Sequence, residues 1–117
     1  MFWDKKTETL TGKDLAALQS RRLKKTVAQA MNVSFYRKQF KKAGLSPSEI
    51  KSTADIEKVP FTKKQDLREG YPFGFLAVPL KKVVRIHTTS GTTGKPTVVG
   101  YTRNDLNVWA DMIARNM

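Results

Sequence analysis

Apolar residues recur at helical spacing over residues 11–31, TGKDLAALQSRRLKKTVAQAM. Ala16, Leu23, Val27, Ala30 and Met31 form a stripe that Leu15 and Leu18 widen, while Arg21, Lys24 and Lys25 lie mostly off its centre. The pattern predicts an amphipathic helix of about five turns. The next stretch, NVSFYRKQFKKAGL, predicts a shorter helix closed by Gly44 in the left-handed conformation that a residue without Cβ adopts easily. Three helix starts follow, each a hydroxyl side chain with an acidic or amide side chain three places on. They are Ser46 with Glu49, where Pro47 takes the first helical position, Thr62 with Gln65, and the weaker run STAD at residues 52–55. Residues 46–70 are therefore expected to be short helices linked by turns, with Pro60 closing one and the Gly70-Tyr71-Pro72 run closing the last.

The periodicity then changes. FGFLAVP is apolar without a helical repeat, and VVRIH, residues 83–87, is a β-branched run of the length of a buried strand. TVVGYT, residues 97–102, is a second strand, close enough to the first to pair with it as a wide hairpin. In the last segment Thr102 stands at the N-cap, and Leu106, Trp109, Ala110 and Ile113 make one apolar face. The final IARNM carries no cap or turn signal, and no internal repeat is visible.

At 117 residues the chain has the size of one small domain. Its 22 Lys and Arg against 10 Asp and Glu give a formal charge of +12, which by itself points to a polyanionic partner or an anionic surface. A portion of a larger enzyme would carry the same excess without such a partner, because its charge need not balance locally. There is no cysteine, which excludes disulfides, thiolate metal sites and cysteine nucleophiles. No run approaches the length of a membrane span, and MFWDKKTETL has no apolar signal region, so a cytoplasmic location and no membrane partner are expected.

Candidate chemistry concentrates in HTTSGTTGKPTVVGYT, residues 87–102. The ten residues from Thr88 to Thr97 hold five threonines, one serine, two glycines, one lysine and one proline, a set poor for a core and rich in hydrogen-bonding groups. Two known phosphate cradles do not fit. A Walker A loop needs four residues between its first glycine and Gly-Lys, then a magnesium-binding hydroxyl, whereas here only Thr92 and Thr93 separate Gly91 from Gly94 and Pro96 follows Lys95. A dinucleotide fingerprint needs three glycines opening a helix, and this loop leads into a strand. The parts nevertheless suit an anion. Glycines let successive amides converge as a nest, Ser90, Thr92 and Thr93 add hydroxyls, Lys95 adds a mobile charge, and Pro96 fixes the exit.

TSGTTGKPT, residues 89–97, resembles the phosphate-binding signature of the adenylate-forming superfamily. The flanks from FYRKQFKKAGLSPSEI to VVGYTRNDLNVWADMIAR resemble its phenylacetate-CoA ligase family over nearly the whole chain. The resemblance implies an α/β fold with a helical N-terminal subdomain at residues 1–80, followed at residues 81–117 by the start of an AMP-binding domain (strand, phosphate loop, strand, helix). It implies that Ser90, Gly91, Thr92, Thr93, Gly94 and Lys95 embrace the β- and γ-phosphates of ATP. It also implies Mg2+ and coenzyme A as further requirements of the parent enzyme, an aryl carboxylic acid as its substrate, and conversion of that acid to an acyl-CoA through an acyl-adenylate. The superfamily's other site motifs lie downstream of this loop, and no glutamate occurs beyond Glu69. The chain is thus expected to be a truncated N-terminal portion of a ligase, with no catalytic residue of its own, inactive alone, and completed by the remainder of the ligase chain.

Other residues have two readings each. His87, the single histidine, could touch nucleotide or simply end a strand. Tyr71, Phe73 and Phe75 could border an aryl-acid pocket or pack internally. Phe2 and Trp3 could serve a homodimer contact or dock on the first helix. Two further function classes compete with the ligase: a basic nucleic-acid-binding module, supported by charge alone and lacking interleaved aromatics, and a noncatalytic interaction remnant.

Overall fold

Val27, near the end of the long helix, meets Phe40 and Ile50 in a small core that Leu23, Met31, Leu45 and Val59 surround. The computed structural model describes residues 2–91 and 94–117. The helices are α1 (Lys5–Glu8), α2 (Gly12–Ala30), α3 (Ser34–Lys42), α4 (Lys64–Glu69) and α5 (Arg103–Arg115), with short 3-10 turns at Pro47–Glu49, Thr53–Lys58 and Leu80–Lys82. Only the second half of the expected α2 stripe packs. Leu15 remains exposed, because the turns that cover α2 supply Ile50 and Val59 to the level of Leu23, Val27 and Met31.

α3 ends as its sequence predicts. Gly44 has φ +63°, the Leu45 N–H reaches Phe40 O at 3.0 Å, and the Gly44 N–H reaches Lys41 O at 3.1 Å, so the last carbonyls are satisfied and Leu45 turns back onto the core. The Ser46 box forms, with the Ser46 N–H donating to Glu49 Oε2 at 2.6 Å. The helix at 62–65 starts one residue later than expected. Its reciprocal bond runs from the Lys63 N–H to Asp66 Oδ2 at 2.7 Å, while Gln65 donates to Glu69 at 3.1 Å and the Thr62 hydroxyl donates to Tyr36 at 3.3 Å. A carboxylate is the stronger acceptor for a helix N-terminal amide, which favours Asp66 over the neutral Gln65.

The weakest of the three sequence signals is realised through its carboxylate, while the Ser52 side chain makes no cap bond to the backbone. Asp55 accepts from the Lys58 ammonium at 2.6 Å and from the N–H groups of Ser52 (2.9 Å) and Lys51 (3.0 Å). The Lys58 contact, then the two backbone donors, hold its carboxyl well below the ordinary 3.8, and Lys58 is raised in turn. A depressed carboxylate pKa stabilises the fold above the unfolded value, and the contribution is lost as pH falls through the folded one. D55N is therefore expected to lower the melting temperature by a few degrees at pH 7. In acid the two proteins should converge only below about pH 3.8, and convergence at higher pH would contradict the depressed value.

β1 (Val83–Thr88) and β2 (Val98–Thr102) pair antiparallel, with Arg85 opposite Tyr101, Ile86 opposite Gly100, His87 opposite Val99 and Thr88 opposite Val98. A register shift lies between Val83 and Arg85. The hairpin matches expectation, and its β-branched run lies uncovered: Val84, Ile86 and Val99 are 47%, 46% and 43% exposed. The reason is that, among the described residues, the sheet has two strands and no third to cover or extend it. The architecture is helix-rich with a two-stranded sheet, an incomplete α/β domain.

The segment at residues 76–77 links the helical part to the hairpin. Asn32 Nδ2 donates to Ala77 O at 3.1 Å, and Leu76 sits so close over Gly100 that a Cβ there would lie 2.7 Å from its Cδ2. α5 leaves β2 directly through the expected cap, with Thr102 and Asp105 exchanging bonds of 2.7 Å and 3.2 Å. Its end is capped after all: Asn116 is the C-cap, and its side-chain amide donates to Met112 O at 2.9 Å. Trp3 docks on α5 rather than on α2. Its indole N–H donates to Asp111 Oδ1 at 2.7 Å, and Glu8 pairs with Arg115 at 3.4 Å.

Candidate phosphate-binding loop

Two threonines close the neck of the hairpin loop. The Thr89 N–H donates to Thr97 O at 3.1 Å and the Thr97 N–H donates to Thr89 Oγ1 at 3.0 Å, with Thr97 only 8% exposed. These bonds continue the ladder for one more pair, so the loop emerges from a rigid base. Beyond the neck, the Gly94 N–H donates to Gly91 O at 3.2 Å. A Cβ at Gly91 would fall 2.7 Å from Gly94 O, and Gly94 has φ +132°, a conformation that L side chains rarely adopt. Both glycines are thus required by the shape of the turn, one by space and one by dihedral angle.

Ser90, Gly91, Gly94 and Lys95 are all exposed. Thr92 and Thr93, the other two residues expected in the grip, lie outside the described residues. Among the described residues no hydrogen bond engages the N–H of Ser90, Gly91 or Lys95. Amides without a partner among the described residues are the donors that an incoming oxyanion would need, and the exposed Lys95 adjoins them.

Lys95 and Gly94 also line a cleft of about 250 Å³ whose opposite wall is Gln65, Arg68 and Glu69 of α4. No signal in the sequence pairs α4 with the loop, since the two are separated by the turn and β1.

His87, at the base of the loop, has partners that its sequence context did not reveal. Its ring lies 5.0 Å from that of Tyr101 and 5.6 Å from that of Trp109, which stacks on Tyr101 at 5.6 Å. The antiparallel register could have suggested the His87–Tyr101 half of this trio, because the two lie diagonally on one sheet face. Placement of Trp109 needed the α5 packing angle. Phe75 packs on Phe35 (5.0 Å) and Tyr36 (5.7 Å), whereas Tyr71 and Phe73 stay exposed. The described residues contain no group of three or more His, Cys, Asp or Glu side chains that could hold a metal ion. Among the described residues no helix is long and apolar enough to cross a membrane.

No protein-family model matches the chain. It is 50% identical to the phenylacetate-coenzyme A ligase of Thermus thermophilus over 118 aligned residues, covering 100% of this chain and 26% of that protein. It is 52% identical to the Escherichia coli phenylacetate-coenzyme A ligase, covering 94% of this chain and 25% of the relative. Among solved structures, a 2-hydroxyisobutyryl-CoA ligase in complex with 2-HIB-AMP and CoA superposes with a TM-score of 0.87 at 37% identity, over 97% of this chain and 25% of that one. The chain thus spans about a quarter of the length of the relatives it matches.

Proposed function

Since the chain is homologous over its whole length to phenylacetate-coenzyme A ligases, acid–thiol ligases four times as long, we propose that it is the N-terminal, phosphate-gripping portion of an ATP-dependent aryl-acid–CoA ligase. The observation that supports this most is the open loop, with exposed Ser90, Gly91, Gly94 and Lys95 and unengaged N–H groups at Ser90, Gly91 and Lys95 among the described residues.

In the complete ligase a carboxylate oxygen of the acid attacks the α-phosphorus of ATP, and the bond to the bridging oxygen of the β-phosphate breaks. Negative charge builds on the departing pyrophosphate. In this reading the loop amides and the Lys95 ammonium stabilise that charge as it forms, which lowers the barrier rather than merely binding ATP. The thiolate sulfur of coenzyme A then attacks the acyl carbon and AMP leaves. Residues 1–80 act as the helical subdomain that holds the hairpin, and residues 81–117 as the beginning of the nucleotide-binding domain.

The test is a chimera in which this chain replaces the matching quarter of the Thermus thermophilus ligase. The chimera is expected to release pyrophosphate when given phenylacetate, ATP and magnesium, and to form phenylacetyl-CoA on addition of coenzyme A, whereas the 117-residue chain alone forms none. A folded chimera that binds neither ATP nor pyrophosphate would overturn the assignment.

A further inference from the structure

The loop carries one cation, Lys95, yet the structure places a second beside it. Arg68, in the last turn of α4, lines the same 250 Å³ cleft as Gly94 and Lys95. We propose that Arg68 is a second phosphate-binding residue of this site, delivered by the helical subdomain to the β,γ-diphosphate that the loop grips. The proposal rests on the phosphate-loop reading and extends it to a residue with no place in the loop sequence.

Three observations support it. The first is chemistry. A guanidinium offers planar, paired donors that match two oxygens of one phosphate, and its five N–H groups allow it to keep a structural partner while holding an anion. The second is scale. The cleft is smaller than the roughly 300–1,000 Å³ of pockets that enclose a drug-sized ligand, so it suits one end of a nucleotide better than the whole.

The third is rigidity of the mount. Asp66 fixes the start of α4 by accepting the Lys63 N–H at 2.7 Å. After the helix, the Gly74 N–H returns to Gly70 O at 2.7 Å, and a Cβ at Gly74 would fall at 2.7 Å from that oxygen. Phe75 then anchors among Phe35 and Tyr36, and Leu76 seats on Gly100 of β2. α4 is thus tied to the strand that leaves the loop, and Arg68 keeps its station relative to Lys95. Partial burial of the Arg68 side chain further limits how far it can stray.

Glu69 lines the cleft as well, and its carboxylate accepts from Gln65 Nε2 at 3.1 Å. Two cations face one anion there, so the cleft favours phosphate by a single net charge. Glu69→Gln should accordingly tighten binding.

The experiment is calorimetric titration of the 117-residue chain with inorganic pyrophosphate at fixed ionic strength. Arg68→Ala is expected to weaken binding about tenfold, with Arg68→Lys intermediate, since a charged hydrogen bond of this kind is lost. Arg21→Ala, on the α2 surface, should leave binding unchanged; an equal loss there would assign the affinity to diffuse charge and overturn the proposal. Circular dichroism melts of each variant distinguish a lost contact from a lost fold, and Arg68→Gln, which keeps much of the side chain's bulk, serves if the alanine variant unfolds. If Lys95→Ala weakens binding and Arg68→Ala and Arg68→Gln do not, this inference fails and the loop reading survives. If pyrophosphate does not bind the unaltered chain at millimolar concentration, both fail.

Discussion

Lys95→Ala in the chimeric ligase is expected to slow pyrophosphate release roughly 100-fold, the effect of removing one preorganised donor from a developing oxyanion. Lys95 is exposed and adjoins Gly94, whose φ of +132° sets the direction of the turn, so the substitution removes a charge without disturbing a packed group. Because charge accumulates on the leaving pyrophosphate during the step, kcat should fall more than the KM for ATP rises. The second half-reaction gives an internal control. Supplied with preformed acyl-adenylate, the variant should transfer the acyl group to coenzyme A at nearly the normal rate, since no pyrophosphate departs there. Unchanged pyrophosphate release in single-turnover measurements would remove Lys95 from the mechanism.

The largest expected effect on folding comes from Ile50→Ala. Ile50 is 1% exposed and lies at the centre of a core that has few other buried apolar side chains, among them Val27, Val33 and Phe40. Truncating a buried isoleucine costs about 2–5 kcal/mol through lost transfer energy and the cavity left behind. Against a total stability of about 5–15 kcal/mol for a domain of ordinary size, that is a large fraction, and a core this small sits toward the lower end. The melting midpoint should fall by on the order of 10–20 °C. Phe61→Ala, at a position 92% exposed, should leave it nearly unchanged. Equal melting of the Ile50 variant and the unaltered protein would show that stability resides elsewhere, for instance in the Trp3–Asp111 and Glu8–Arg115 contacts between the chain ends.

The parts of the fold that were legible in the sequence are those governed by neighbours a few residues apart. Gly44 announced the end of α3, and Ser46 with Glu49, Ser52 with Asp55 and the Thr102 N-cap announced three starts, because caps are local bonds; the Asp105 half of the last was not read. The start of α4 was misread by one residue where two side chains could cap and the charged one prevailed. Burial was the least legible property. The α2 stripe and the β1 run have core-like patterns, yet Leu15, Val84 and Ile86 remain exposed, because a pattern records which face is apolar and not whether anything lies against it.

Composition marked the loop as suited to an anion and its resemblance to the adenylate-forming signature gave it a phosphate role, and its two glycines prove to be where a side chain would clash or the dihedral angle exclude one. Spacing could not indicate that the amides of Ser90, Gly91 and Lys95 would have no partner among the described residues, nor that Trp109 would close a trio with His87 and Tyr101. Local rules of dihedral angle and short-range hydrogen bonding thus determined, from the chain itself, the order of elements and where the glycine turn of the loop falls. Tertiary packing decided the rest: which apolar faces are covered, where the chain ends meet, and that Arg68 of α4 stands across a cleft from Lys95, a juxtaposition of residues distant in sequence.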